Sequence, residues 1–354
     1  MNIVSKIKTY ELKVVQQILA LGPSVLSGMK CGRRFYFIDR QLWEFYERPL
    51  KQFVGDDFCL LIEALEENKS YLKLAGYYKA LIEAGFTRND CLVTFGGGIL
   101  QDLSGFVAST LYRGIKWVFV PTTLLAQADS CIGSKTSINF EDSKNLIGTF
   151  YPPDLILVDL DFTRTLPDAA FNSGVGEIIK FHLLSDERRY ARLKNFLASG
   201  DLRQSPHIRE IITSTLEIKK SYFEQDEFDT GIRNLLNYGH CFGHALESAS
   251  GFSVPHGIAV IAGMGFANRI ALGRALINEA LVRELELMLR PFYPAIDFDE
   301  VTPESIISYM KKDKKRTGPG LTMILLKDIG DAFKAQDLSE EEIGRVFDQW
   351  KKKN

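Results

Sequence analysis

Cysteine is scarce and scattered in this 354-residue sequence, with five residues at positions 31, 59, 91, 131 and 241 and no Cys-x-x-Cys spacing. An odd, dispersed set excludes a disulfide framework and a cysteine-built zinc site, and it fits a reducing compartment. No apolar run reaches about 18 residues and the N-terminus has no signal-like apolar stretch, so the sequence predicts no spanning helix and a cytoplasmic location. The net charge is only −2 and the pI about 6.3, which gives no overall field for nucleic acid or an anionic membrane. Histidine is as scarce as cysteine, with five in the chain, yet His240, His244 and His256 all fall within residues 237–256 (NYGHCFGHALESASGFSVPH). His240 and His244 are four apart and share a face if the segment is helical. His256 follows a turn containing Gly251, where the chain can fold back toward them. Imidazole is the commonest protein metal ligand, so this concentration points to a metal or to active-site chemistry. The plainer alternative is a set of helix-face histidines packed on polar neighbours.

The apolar fraction of 45% and charged fraction of 25% are ordinary for a globular protein, and the length allows two domains with sizeable cores. Short apolar runs at residues 34–38, 58–62, 91–95, 117–120 and 155–159 read as buried strands, bounded by Gly, Pro or Asp. Between them, residues 70–84 (SYLKLAGYYKALIEA) have helical periodicity, with Ser70 suited to an N-cap. This alternation predicts a parallel sheet with helices on its faces, a design that binds nucleotides at the C-terminal ends of its strands. From about Thr165 the pattern becomes helix after helix: 168–184, 187–197, 207–223, 232–250, 258–275 and 278–290, interrupted by one strand-like run at 321–326. The expected organisation is an α/β nucleotide domain over residues 1–165, a mostly helical domain over 166–354 and a cleft between them.

Several segments offer chemistry. The strand at 91–95 runs into Gly96, Gly97 and Gly98, which allow close approach of a ligand to the backbone ahead of a helix N-terminus. The spacing is neither a Walker A loop nor the usual dinucleotide fingerprint, and a plain tight turn explains it nearly as well. Asp102 could cap that helix or face a cofactor. Thr122 and Thr123 close the next strand and can present hydroxyls. Residues 129–136 resemble half of a Walker A motif but lack its first glycine, which excludes a P-loop NTPase. Lys144 and Asn145 precede a predicted turn at Gly148. Arg113, Lys135 and Lys144 bring positive charge near the glycine-rich region and suit an anionic small substrate. Glu177 and Lys180 are three apart on one helix face, as an ion pair or as a carboxylate ligand with a neighbouring ammonium. Lys219 and Arg233 flank an acidic stretch, and Arg233, Asn237 and His240 share a face if residues 232–250 form one helix.

Taken together in order, residues 96–106 (GGGILQDLSGF), 112–139 (YRGIKWVFVPTTLLAQADSCIGSKTSIN), 144–153 (KNLIGTFYPP), 165–180 (TLPDAAFNSGVGEIIK), 233–247 (RNLLNYGHCFGHALE), 255–264 (PHGIAVIAGM) and 313–315 (DKK) resemble the 3-dehydroquinate synthase family, within the sugar phosphate cyclases. The resemblance spans roughly residues 39–330. It implies a Rossmann-like NAD-binding α/β domain and a mostly α-helical domain that binds metal and substrate. It implies Glu177, His240 and His256 as ligands of a divalent metal, zinc or cobalt, and places His244 against the substrate phosphate. Asp39, Glu66, Lys69, Gly97, Gly98, Asp102, Thr122 and Thr123 would face NAD. Arg113, Asp129, Lys135, Lys144, Asn145, Lys180, Lys219, Arg233, Asn237 and Lys314 would line the substrate pocket, with Arg113 reaching across a homodimer interface. Among these, Lys180, Asp129, Lys135, Lys219 and His244 would act in catalysis.

The family's reaction turns 3-deoxy-arabino-heptulosonate 7-phosphate into 3-dehydroquinate. It runs through transient oxidation by NAD, phosphate elimination, re-reduction, ring opening and an internal aldol closure. Three positions depart from the family pattern: Leu65 and Ser134 where glycine is usual, and Ile258 where a glutamate follows His-Gly. Other readings are a cyclase with an amino-dehydroquinate, deoxy-inosose or valiolone-type product, a metal-dependent NAD polyol dehydrogenase, and a degenerate NAD-binding scaffold. The cationic set favours a doubly anionic sugar acid over an uncharged polyol.

Overall fold

The computed structural model describes residues 1–141, 143–200, 202–292, 301–312 and 320–351. The chain forms two compact units, Met1–Leu166 and Pro167–Asn354. In the first unit the strands are β1 (Asn2–Ile3), β2 (Tyr10–Val15), β3 (Arg34–Asp39), β4 (Phe58–Ile62), β5 (Cys91–Gly96), β6 (Lys116–Pro121), β7 (Lys135–Phe140), β8 (Ser143–Phe150) and β9 (Leu155–Asp159). Its helices are α1 (Ile18–Leu21), α2 (Arg40–Val54), α3 (Tyr71–Glu83) and α4 (Gly98–Thr110). Seven strands form one sheet in the order β1-β2-β9-β6-β5-β3-β4, parallel throughout except for β1. The central strands are apolar without alternation because helices cover both faces. Tyr36, Ile38, Val93, Phe95, Val118, Val120 and Leu157 join Leu50 and Phe53 of α2 in one core cluster. The chain reverses its direction of travel across the sheet between β3 and β5. A switch point of this kind leaves a ligand crevice outside the strands' carboxyl ends. Asp39 ends β3 and Gly96 ends β5, so both stand at that point.

Two details correct the sequence reading here. Gly148 is not a turn: it sits inside β8, opposite Ser137 of β7, in a hairpin that the apolar pattern did not reveal. A Cβ on Gly148 would fall 2.2 Å from the Thr136 carbonyl oxygen, so the glycine serves close strand approach. Ser70 occupies the N-cap of α3, but its side chain makes no capping hydrogen bond.

The second unit contains α5 (Asp168–Leu183), α6 (Glu187–Leu197), α7 (Ile208–Gln225), α8 (His240–Ala249), α9 (His256–Gly273), α10 (Glu279–Leu289), α11 (Pro303–Lys311) and α12 (Glu340–Lys351). The late strand-like run is half of a hairpin, β10 (Leu321–Asp328) with β11 (Asp331–Leu338). Helix α9 is apolar around nearly its whole circumference and is buried accordingly. Its glycines set the spacing of its neighbours. A Cβ on Gly257 would lie 2.2 Å from the Ser173 carbonyl of α5, and one on Gly263 would lie 2.0 Å from the carbonyl of Gly239, just before α8. Three helices therefore meet almost backbone to backbone.

The predicted helix 232–250 is two elements. A 3-10 turn, Ile232–Asn237, is followed by Gly239 at φ 81°, and only then does α8 begin. Gly239 provides the left-handed break, and its ideal Cβ would be 2.6 Å from the Val260 carbonyl oxygen. Arg233 and Asn237 therefore do not share an α-helical face with His240.

Candidate functional site

Helices α5, α8 and α9 bring Glu177, His240 and His256 together. The Glu177 Oε1 atom lies 3.6 Å from His240 Nε2 and 3.8 Å from His256 Nε2. Two ligands bound at about 2.1 Å on a tetrahedral cation stand about 3.4 Å apart, so this spacing is close to a zinc-type donor set. The other ring nitrogens are already engaged. His240 Nδ1 faces the Tyr238 carbonyl oxygen at 3.2 Å, and His256 Nδ1 faces Glu247 Oε2 at 3.0 Å. Both acceptors require N–H at Nδ1, which leaves the Nε2 lone pairs turned toward Glu177. The second Glu177 oxygen pairs with the Lys180 ammonium, the ion pair of the plainer reading.

Burial, the Lys180 ammonium and the two neighbouring imidazoles hold His240 well below the ordinary histidine range, which keeps it in its ligating neutral form. Burial also pulls His256 down, but its hydrogen bond to Glu247 and the Glu177 charge outweigh this and raise it. His244 belongs to the same group: one ring nitrogen from each of His240, His244 and His256 lies within 4.8 Å of the others. His244 is exposed, whereas Glu177 is 1% exposed at its side chain.

The same unit buries further cations. The Lys180 and Lys219 ammonium groups lie 4.6 and 5.3 Å from the centre of the same Phe181 ring, and both lysines are buried. Arg233 is buried too. Its Nη1 donates to the Glu227 carbonyl at 2.5 Å, and the Asp226 carboxylate accepts from its backbone N–H at 3.0 Å. Asn237 donates to the Asn234 carbonyl at 2.8 Å. Lys314 lies outside the described residues.

The first unit gathers a different set. Lys69 is buried, and its Nζ reaches Asn145 Oδ1 at 2.7 Å, Asp102 Oδ2 at 3.0 Å and Glu66 Oε1 at 3.2 Å. Ser137 Oγ lies 2.7 Å from Asp102 Oδ2 and 2.8 Å from Asn145 Oδ1. Asn139 donates to Glu66 Oε1 at 2.8 Å and accepts from the Asn145 N–H at 2.8 Å. Burial pushes the Asp102 carboxyl up against the pull of Lys69. Burial also raises Glu66, but the Asn139 bond and Lys69 outweigh it and hold that carboxyl low. Asp102 is inside α4 rather than at its start, so it does not cap the helix.

The α4 N-terminus has Gly97 as its cap residue and no side-chain cap bond. A Cβ on Gly97 would approach Thr123 Cγ2 to 2.9 Å. The Thr122 N–H donates to the Gly96 carbonyl at 2.9 Å, and Thr123 Oγ1 accepts from the Ala126 N–H at 3.2 Å, so both threonines are pinned at the glycine turn. Helical N–H groups without a side-chain cap, at the end of a parallel strand, fit a dinucleotide's pyrophosphate. Asp39 caps α2 by accepting from the Gln41 N–H at 3.0 Å, and burial pushes its carboxyl up. Asp129 lies in a π-helical turn, Ala126–Ser130, and Lys135 begins β7. Lys144 and Asn145 are exposed residues of β8. Arg113 is exposed and left-handed at φ 63°, directly after Tyr112 at φ 51°.

The family models described as 3-dehydroquinate synthase N-terminal and C-terminal match residues 59–173 and 174–316. The 3-dehydroquinate synthase of Dehalococcoides mccartyi is 36% identical over 97% of both chains, and that of Enterococcus faecalis is 40% identical over 85% of this chain and 83% of its own. The chain belongs to the 3-dehydroquinate synthase family. Among solved structures, the 2-epi-5-epi-valiolone synthase of Streptomyces hygroscopicus, described with NAD+ and Zn2+ bound, is 26% identical with a TM-score of 0.87 over 99% of both chains. A probable glycerol dehydrogenase from Sinorhizobium meliloti is 16% identical over 97% of this chain and 96% of its own, with a TM-score of 0.65, and shares the fold.

Within this family frame the unusual positions sit in different local environments. Leu65 has extended φ/ψ of −100° and 142°, which any residue adopts, so replacing glycine there adds no strain. Ile258 is buried in α9 and offers no carboxylate, while His256 meets that of Glu247. Ser134 is buried, with no hydrogen-bond partner for its hydroxyl among the described residues. Sequence reasoning did not single out Ser137, Asn139 or Glu247. Glu247 had a signal: it is seven residues after His240, two helical turns on and on the same face.

Proposed function

We propose that this chain is a 3-dehydroquinate synthase, cyclising 3-deoxy-arabino-heptulosonate 7-phosphate to 3-dehydroquinate with elimination of phosphate. NAD is assigned to the first unit, and zinc or cobalt to Glu177, His240 and His256 of the second. The observation that carries this reading is the convergence of one carboxylate oxygen and two Nε2 atoms within 3.6–3.8 Å in a unit that also buries Lys180, Lys219 and Arg233. When bound, NAD supplies a reversible hydride acceptor and the cation supplies Lewis acidity.

The chain's own residues do the rest. Glu177 is preferred to His244 as third ligand because a dication beside the Lys180 ammonium needs an anionic partner. His244, left exposed next to the cluster, then serves the substrate phosphate. Lys180 and Lys219 face one aromatic ring, and crowded ammonium groups favour a multiply charged anion over a neutral polyol. Arg233 spends one N–H on Glu227, and the rest of its fork suits the substrate carboxylate, to which Asn237 is also assigned on the family resemblance. Asp129, Lys135, Lys144 and Asn145 of the first unit are assigned to the substrate on the family resemblance. Glu66, Lys69 and Asp102 offer ribose-type partners around the glycine turn, with Asp39, Gly97, Gly98, Thr122 and Thr123. The consecutive left-handed Tyr112 and Arg113 hold a strained, exposed turn, which supports Arg113 as a residue aimed at a partner copy in a homodimer. Sedimentation of the purified protein tests that state.

The deciding experiment offers the heptulosonate phosphate and glucose 6-phosphate in parallel and follows phosphate release and absorbance at the NADH band. Turnover of the heptulosonate phosphate alone, without NADH accumulation, is expected. Turnover of only glucose 6-phosphate would assign a different cyclase, and stoichiometric NADH would assign a dehydrogenase. His244→Ala should keep its metal and lose on the order of 100-fold in kcat, as metal analysis beside the assay will show.

A further inference from the structure

We propose that Glu247 is a positioning residue that aims His256 at the metal, an inference that rests on the metal reading above. The two histidines of the donor set are held differently. His240 is 12% exposed at its side chain and is fixed by packing and a backbone carbonyl. His256 is 36% exposed at its side chain, so packing restrains it less. Its Nδ1 donates to Glu247 Oε2 at 3.0 Å, and the Glu247 side chain is only 16% exposed. This carboxylate bridges two elements: Glu247 lies near the end of α8, and His256 is the first residue of α9.

The backbone between them is itself anchored at Glu247. Its carbonyl accepts from the Phe252 N–H at 2.7 Å and from Ser250 Oγ at 3.1 Å, closing the turn through Gly251 that returns the chain to His256. Holding Nδ1–H fixes the tautomer and ring plane, and a carboxylate acceptor makes Nε2 a stronger donor than the backbone carbonyl does for His240. His240, His244 and Glu247 recur at steps of four and three on one face of α8, so a single helix face supplies a donor, a neighbour and the orienting acid.

The test uses metal-free full-length protein titrated with Zn2+ alone against a chromophoric chelator, and with Co2+ followed by its visible spectrum. Glu247→Ala should bind about 10- to 100-fold more weakly and give an altered Co2+ spectrum. Glu247→Gln, whose carbonyl still accepts from Nδ1–H, should recover most of that loss. Melting of the metal-free variants separates orientation from folding. Unchanged metal affinity in Glu247→Ala overturns the inference, as does equal loss in both variants accompanied by lowered melting of the metal-free protein. His256→Ala distinguishes the levels. Loss there without loss in Glu247→Ala sinks only the positioning role. No loss in His256→Ala sinks the ligand assignment, and the positioning role with it.

Discussion

The two polar clusters of this chain settle their charges in opposite ways. In the first unit the Lys69 ammonium has three acceptors within 2.7–3.2 Å, and its neighbours Ser137 and Asn139 complete the circuit. In the second unit acceptor faces another acceptor: Glu177 Oε1 looks at two Nε2 lone pairs at 3.6 and 3.8 Å. The first arrangement is complementary within itself. The second gathers acceptor atoms at separations close to those of ligands on one cation. A polar network that closes on itself stabilises a fold, whereas one made of like donors specifies what must come from outside.

The largest effect should come from His240→Ala. Removing one of three donors, and the more buried histidine, should abolish tight metal binding and lower kcat by about 1,000-fold or more, while NAD binding by the first unit stays near wild type. Metal analysis and an NAD titration on the same sample check this. Concerted loss of both ligands would break the contrast between the clusters. Gly257→Ala attacks the same donors through spacing. Its Cβ would sit 2.2 Å from the Ser173 carbonyl, a backbone atom that cannot swing aside. A destabilisation of about 3 kcal/mol in urea unfolding, with weakened metal binding, is expected because α5 and α9 must separate.

Much of this was legible before the structure. Five of the six parallel strands announced themselves as apolar runs at residues 34–38, 58–62, 91–95, 117–120 and 155–159, although the edge strand β4 is only half-buried; β2, with its partly exposed pattern, did not. Helix α6 falls on the residues its periodicity predicts, 187–197. The failures share a cause. The break at Gly239 and the hairpin at Gly148 are set by a backbone oxygen from elsewhere in the chain, the Val260 and Thr136 carbonyls, and local periodicity carries no trace of such a neighbour. The same holds for the polar sites. Histidine density pointed to residues 237–256 and spacing alone favoured pairing His240 with His244; the family resemblance named Glu177 with His240 and His256, and the meeting of α5, α8 and α9 gives the distances at which Glu177 faces them. Ser137 and Asn139 gain their partners through the β7–β8 hairpin, an element the pattern concealed.

Lys69→Met probes the self-complementary cluster. It leaves the Glu66 and Asp102 carboxylates without their ammonium, which would cost about 3–5 kcal/mol if the pairs were fully buried. Their side chains are 36% and 27% exposed, so solvent screening reduces the expected loss to about 2 kcal/mol. Adding Asp102→Asn should recover part of it, because one of the two uncompensated charges disappears. Denaturant melts of the single and double variants measure the coupling, and strict additivity would show that the network is not the closed unit its distances describe.

The smallest effect sharpens the contrast by separating a buried histidine from a ligating one. His182 is fully buried on α5, and its Nδ1–H donates to the Ile178 carbonyl at 2.9 Å. Its Nε2 has no partner among the described residues, and it is not one of the three histidines gathered as a candidate metal group. Burial, opposed by that hydrogen bond and assisted by Arg189, lowers its pKa from 6.5 to about 4. The unfolded chain therefore binds more protons than the native one between those values, so stability contributed by neutral His182 is present above pH 6.5 and is lost as pH falls toward 4. By pH 5 the loss should be about 2 kcal/mol relative to pH 7.5. His182→Leu should remove that part of the slope, read from urea midpoints at the two pH values, without changing metal content. A variant that kept the slope would place the acid sensitivity on other groups. One that lost metal would show that lone pairs beyond the Glu177 cluster contribute to cation binding, and the division between closed and open clusters would have to be redrawn.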